Sequence, residues 1–84
     1  MRALMPVFIA MLVSVAAYAA DRPVNDGEKM KLEAALKVEG CSGGKLEFDI
    51  DDNKFEVDDA VCADGKKYDI DFDTNFKLIR KKPD

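Results

Sequence analysis

The sequence predicts an α+β fold, with one N-terminal helix packed on a four-stranded antiparallel β-meander and one disulfide. Three observations carry that expectation. Apolar residues recur at helical spacing between Glu28 and Val38 and stop at Gly40. From Lys45 onward they alternate with charged residues at a period of two. The two cysteines, Cys41 and Cys62, flank the first alternating stretch. At 84 residues the chain holds one small domain at most, which excludes a multi-domain enzyme.

Apolar residues are unevenly spread along the chain. Residues 1–19 carry 16 of them, whereas residues 20–84 carry 24 alongside 29 charges. Met1-Arg2 is a short basic start, Ala3–Val15 is apolar apart from Pro6 and Ser14, and Ala17-Tyr18-Ala19 puts small residues at −3 and −1 of a cut before Ala20. This is the pattern of a secretory leader. An uncleaved anchor is the weaker alternative, because Pro6 interrupts a stretch shorter than the ~20 apolar residues of a spanning helix. No Cys stands at the cut, which argues against a lipid anchor. The expected organisation is a cleaved signal peptide at 1–19, a flexible lead at 20–27 and a single domain at 28–84, in the periplasm or secreted.

Loss of Arg2 leaves 12 basic and 17 acidic residues, a net charge of −5. Such a chain is repelled by nucleic acid and by anionic membrane surfaces, so neither is expected as a partner after cleavage; a basic protein or a cation is. Export also places Cys41 and Cys62 in an oxidising compartment. A pair at this spacing reads as a structural disulfide rather than a C-x-x-C redox site. Closing a loop of that size stabilises by roughly 3 kcal/mol in the chain-entropy model.

The elements follow in order. Asn25 or Asp26 can cap the helix, with Glu28 in its first turn, where a carboxylate suits the helix dipole. Leu32, Ala35 and Leu36 share one face, with Met30 and Ala34 beside it, and Gly40 ends the helix. Ser42-Gly43-Gly44 reads as a loop. Leu46, Phe48 and Ile50 then alternate with charges, Asp52-Asn53 turns the chain, and Phe55 and Val57 resume the alternation. Asp64-Gly65 is a hairpin signal leading to Tyr68, Ile70 and Phe72. Thr74-Asn75 turns again, with Asn suited to the left-handed conformation. Phe76 and Leu78 open a last strand that ends in Arg80-Lys81-Lys82.

These turns imply registers. A two-residue turn at Asp52-Asn53 sets Phe48 opposite Val57, Ile50 opposite Phe55 and Cys62 opposite Gly43, two residues from Cys41. The Asp64-Gly65 turn sets Phe72 opposite Val57, and the last turn pairs Ile70 with Leu78. All three put the apolar set on one face. Asp59 is the misfit. Either it points inward as a buried carboxylate of raised pKa, or Asp58-Asp59 is a bulge that turns Ala60 and Cys62 inward; the bulge is the favoured reading.

On these registers Glu47, Asp58 and Asp71 form one row of the outer face, and Asp49, Glu56 and Asp73 the next. Opposed like charges destabilise a sheet unless solvent, a cation or a basic partner offsets them. The six residues are the candidate partner-binding face, weighed against a merely solvated face eased by Lys45, Lys54, Lys67 and Lys77. Asp49, Asp51 and Asn53, and likewise Asp69, Asp71 and Asp73, match the first ligands of a calcium loop. The required Gly and the closing Glu are missing from both, so no dedicated metal site is expected.

No catalytic residues emerge. The chain contains no His, Ser42 is the one serine beyond the leader, and two cysteines without His do not close a zinc site. No phosphate loop is present, and no cofactor is expected. The chain reads as a non-enzyme.

The segment Lys54-Phe55-Glu56-Val57, then Asp64-Gly65 leading to Tyr68, then Asp71-x-x-Thr74-Asn75 followed by Phe76–Ile79, resembles the PepSY superfamily, above all its small stand-alone periplasmic members. The family tends to read aromatic-Glu-Val, Asp-Gly, Asp-x-x-Thr-Gly and an apolar strand. Asn75 stands at the family's Gly, and the cysteine pair is not a general family feature. The likeness runs from Glu28 to Lys81. It implies a helix packed on an antiparallel sheet. It also implies a binding or inhibitory role, since such domains occur in propeptides of thermolysin-like metallopeptidases and in cell-envelope proteins. No catalytic residues come with it. The expected function is a binding module that modulates or inhibits a peptidase or another envelope protein. The alternative is a calcium- or cation-responsive protein using the acidic face.

Overall fold

The computed structural model describes residues 21–84, so the expected leader at 1–19 lies outside the described residues. The order is β1 (Asp21–Pro23), α1 (Asp26–Val38), β2 (Cys41–Ser42), β3 (Lys45–Asp49), β4 (Lys54–Cys62), β5 (Lys67–Phe72) and β6 (Leu78–Pro83). The strands form one antiparallel sheet in the order β1-β3-β4-β5-β6, with β2 also on β4.

The α+β class stands, but the four-strand count is corrected to six strands among the described residues. One addition, β1, comes from the segment expected as a loose lead: Asp21, Arg22 and Pro23 pair with Asp49, Phe48 and Glu47. Three residues ending in Pro carry no alternation from which a strand can be read. The second, β2, lies where a loop is expected. Cys41 pairs with Cys62 and Ser42 with Val61, and Lys45 with Asp58 continues the same register. β2 and β3 are thus two halves of one strand, interrupted at Gly43 and Gly44, which take φ of 73° and 90°.

The interruption faces a bulge. Val57 pairs with Ile70 and Ala60 with Tyr68, so Asp58 and Asp59 together oppose Asp69. Asp59 takes φ 61° and stays exposed, while Ala60 and Cys62 turn inward and are buried. The bulge reading of Asp59 is therefore the one the fold adopts.

Helix α1 starts at a capping box. The Asn25 side chain accepts from the Glu28 N–H at 2.7 Å, and the Glu28 carboxylate accepts from the Asn25 N–H at 3.0 Å. Both Glu28 oxygens also accept from the Arg22 guanidinium at 2.9 Å, which ties β1 to the helix, and Arg22 lies 4.5 Å over the Phe48 ring. Leu32 and Leu36 of the helix bury against Phe55, Val57, Ala60, Ile70 and Phe72 of the sheet. The Cys41–Cys62 disulfide closes the end of this core beside the helix C-terminus.

All three expected turns are longer than predicted. At Asp64-Gly65 the Cys62 N–H donates to the Lys66 carbonyl and Val61 pairs with Lys67; with the bulge, Val57 faces Ile70, and Phe72 faces Phe55 instead of Val57. The other two turns change more. Residues 50–53 form the first, so Ile50 leaves the strand, Phe48 meets Phe55, and Leu46 meets Val57. The Asp49 carboxylate accepts the Asp52 N–H at 3.1 Å and Asn53 takes φ 53°, which closes a four-residue loop. At the last turn Asp73 accepts from Asn75 and Lys77, and the left-handed residue is Phe76 (φ 62°) rather than Asn75. Stacking of the Phe76 ring on Phe55, centroids 4.9 Å apart, holds that conformation. Leu78 consequently pairs with Phe72 instead of Ile70.

A Cβ added at Gly44 would meet the Asp58 carbonyl oxygen at 2.7 Å and Val57 Cγ1 at 2.9 Å, whereas at Gly43 it would meet nothing within 4 Å. Both substitutions carry the cost of a left-handed non-glycine residue, ~1–2 kcal/mol. Gly44→Ala should therefore lower the urea midpoint clearly more than Gly43→Ala. Equal losses would show that the bulge does not need close approach at Gly44.

Candidate functional site: the outer face of the sheet

Opposite the helix, the sheet presents its charged residues. Paired positions align Glu47, Glu56, Asp71 and Arg80 in one row across four strands. A second row aligns Asp21, Asp49 and Lys54, and a third aligns Lys45 with Asp58. Five of the six expected carboxylates thus lie along the three strands β3, β4 and β5, but in rows different from those expected. The longer first turn moves β3 two residues along β4, so Glu47 meets Glu56 instead of Asp58 and Asp49 meets Lys54 instead of Glu56. Asp73 leaves the face altogether, because its carboxylate caps the β5–β6 turn.

The carboxylates differ in how they are satisfied. Asp71 is 6% exposed and its Oδ2 accepts from Lys54 Nζ at 2.8 Å and Arg80 Nη2 at 3.0 Å. Lys45 Nζ lies 3.3 Å from Glu47. Glu56 is held only loosely, with Lys54 Nζ 3.8 Å away. Burial, then the charges of Asp49, Asp21 and Asp71, push the Glu56 carboxyl up to about 7, with Lys54 opposing them. Burial and Asp69 likewise push Asp58 up. Carboxylate oxygens of Asp21, Asp49 and Glu56 come within 4.8 Å of one another, as do those of Asp59, Asp69 and Asp84.

Asp21, Arg80 and the pairing role of Lys54 were missed by sequence reasoning. Asp21 enters through the unforeseen β1, and Arg80 sits opposite Asp71 because the last turn is longer than expected. The regular alternation of acids gave the face itself.

The turn residues also fall into place. The Asp64 carboxylate accepts from the Lys66 N–H at 2.9 Å and from the Tyr68 hydroxyl, and Gly65 takes φ 80°. Aromatic-Glu-Val, Asp-Gly and the Asp73-capped turn therefore have defined structural places. A family described as peptidase propeptide and YPEB domain matches residues 3–82. The chain belongs to this PepSY family. The matched stretch covers nearly the whole chain, including most of the segment expected as a leader. No curated protein and no solved structure matches significantly. Membership makes the chain a propeptide-like binding module in broad class, with no partner specified. Among the described residues no helix is long and apolar enough to cross a membrane.

The pH dependence of stability follows from Glu56. Its folded pKa is raised from 4.5 to about 7, so the ionised form is the penalised one. Below the unfolded value both states are protonated and the penalty is absent; it grows as pH rises from 4.5 to about 7 and is complete above that. Glu56→Gln should raise the Tm at about pH 7.5 and flatten the decline between about pH 5 and pH 7.5. A decline unchanged in the variant would mean Glu56 titrates normally.

Proposed function

We propose that this PepSY-family chain is an extracytoplasmic docking module that modulates or inhibits a peptidase or another envelope protein, binding through its acidic sheet face. The observation that carries the reading is the surplus of negative charge on one surface. Asp21, Glu47, Asp49, Glu56, Asp58 and Asp71 share it with Lys45, Lys54 and Arg80. A basic surface on the partner relieves that repulsion on contact. The same field repels nucleic acid and anionic lipid. Asp71 is held by its own cations, so Glu47, Glu56 and Asp58 are the carboxylates offered to a partner.

The direct test is binding and inhibition of a thermolysin-like metallopeptidase from the same compartment, beside a Glu47→Lys, Glu56→Lys, Asp58→Lys variant of unchanged circular dichroism. Affinity should fall at least about tenfold in the variant and should weaken steadily with added salt. Inhibition that ignores both changes would move the site off this face.

A cation is the second reading, favoured by the convergence of Asp21, Asp49 and Glu56. Those oxygens suit calcium. Binding to the native state must stabilise it, so the Tm should rise in millimolar calcium relative to chelator. An unchanged Tm removes this reading and leaves the docking one intact.

A further inference from the structure

Strand β6 is the least covered part of the fold. All six of its residues are exposed, Leu78 and Ile79 at 44% and 55%. One side pairs with β5, and among the described residues no strand covers the other. The Asp84 N–H donates to the Lys67 carbonyl at 3.0 Å. Antiparallel pairing alternates from that point, so Lys82 and Arg80 turn their backbone groups to β5 while Lys81 and Pro83 turn theirs outward. Pro83 thus lacks an N–H where the ladder uses none. Lys81 offers an N–H and a C=O, and Pro83 a C=O, to whatever approaches.

Three of the six β6 side chains, Arg80, Lys81 and Lys82, are basic and Lys77 precedes them, in a chain whose overall charge is −4; Lys82 stands opposite Asp69. Arg80 is committed to Asp71, and Lys81 Nζ donates to the Glu39 carbonyl at 3.2 Å while lying 5.0 Å over the Tyr68 ring. Lys77 and Lys82 form no ion pair among the described residues.

We propose that the open edge of β6 accepts an extended acidic segment of a partner protein as an additional strand. Main-chain groups supply the ladder, Leu78 and Ile79 supply apolar contact, and Lys77 and Lys82 select the charge. Lysines on an edge deter strand pairing between like copies, since a second β6 would set lysine against lysine. An acidic strand meets the opposite condition. A flat anionic membrane does not, because the acidic row of Glu47, Glu56 and Asp71 lies on the adjoining strands. This surface is separate from the acidic face and prefers the opposite charge, so the two readings stand or fall independently.

The test uses the oxidised chain with a capped peptide of about eight residues alternating Glu and Val. Controls are its Lys/Val counterpart and a version with a central Pro. Amide shifts should concentrate in β6 and β5, hydrogen exchange at the Lys81 amide should slow at least about tenfold, and both controls should fail to bind. Lys77→Gln with Lys82→Gln should weaken binding at least about tenfold with unchanged circular dichroism. Equal binding of the Lys/Val peptide, unchanged exchange at Lys81, undiminished binding by the double variant, or a preference for phosphatidylglycerol vesicles over the peptide would each overturn the proposal.

Discussion

A strand that alternates strictly offers a packing partner every second residue, and β4 has to offer positions of opposite parity. Phe55 and Val57 face the helix at one end, Ala60 and Cys62 at the other. The extra residue at Asp58–Asp59 makes this possible by changing the phase of the strand midway. Gly44 lets the facing strand approach the Asp58 carbonyl at that point, where any side chain would collide. Much else depends on the shift. It turns Cys62 toward the core, while the four-residue first turn sets Cys62 directly opposite Cys41, and the Ala63 N–H reaches the Gly40 carbonyl at 2.8 Å. The C-terminal end of α1 is thereby fastened to the sheet by a covalent bond and a hydrogen bond within a few residues of each other.

The same strand organises the charges. Residues that point away from the helix on β3, β4 and β5 are mostly acidic, so a sheet that satisfies its apolar face gathers carboxylates on the other. The fold offsets part of this from within: Lys54 and Arg80 converge on Asp71, the most buried acid. Glu56 is left part-buried beside Asp49 and Asp21 with Lys54 only loosely placed, and burial first, then those neighbouring charges, raise its pKa. The Arg22–Glu28 pair is the contrast. Bidentate contact and the helix cap hold the Glu28 carboxyl down to about 2, because the ionised form is the one being bonded. One glutamate anchors the domain and the other carries its uncompensated charge.

Alternation made the sheet legible in the sequence, and helical spacing made the helix legible, because both faces are strongly polarised. The bulge was legible too, since Asp59 was the residue that broke an otherwise consistent pattern. What escaped was short or lacked a periodic signal. β1 is three residues long and is held by Arg22, which contacts Glu28 six residues on and Phe48 far along the sequence. β2 is separated from β3 by two glycines that look like a loop and act as an interruption. The registers slipped because carboxylates at Asp49 and Asp73 lengthen their turns, and the sequence shows aspartates everywhere. Phe76 shows the same limit: its ring stacks on Phe55 while its backbone takes the left-handed conformation that propensity assigns to Asn75.

The family pattern and the candidate surfaces overlap at Glu56 and Asp71 and otherwise occupy different parts of the molecule. Phe55 and Val57 are core, Asp64, Gly65 and Tyr68 shape one turn, and Asp73 to Phe76 shape the other. These residues are what any chain needs to build this helix-on-sheet scaffold, whichever partner it meets. Of the motif residues before the last turn, Glu56 is central to the outer face, between Glu47 and Asp71. Asp71 is a motif residue as well, whereas Asp21, Glu47, Asp49, Asp58 and Arg80 of that face, and Lys82 of β6, lie outside the motif residues. A scaffold of this kind fixes where side chains are displayed while leaving their identity free, so membership in the family describes the support and not the partner. On the two proposed readings, specificity rests on the carboxylates of the outer face and on the basic edge beside it, two surfaces whose preferences for partner charge are opposite.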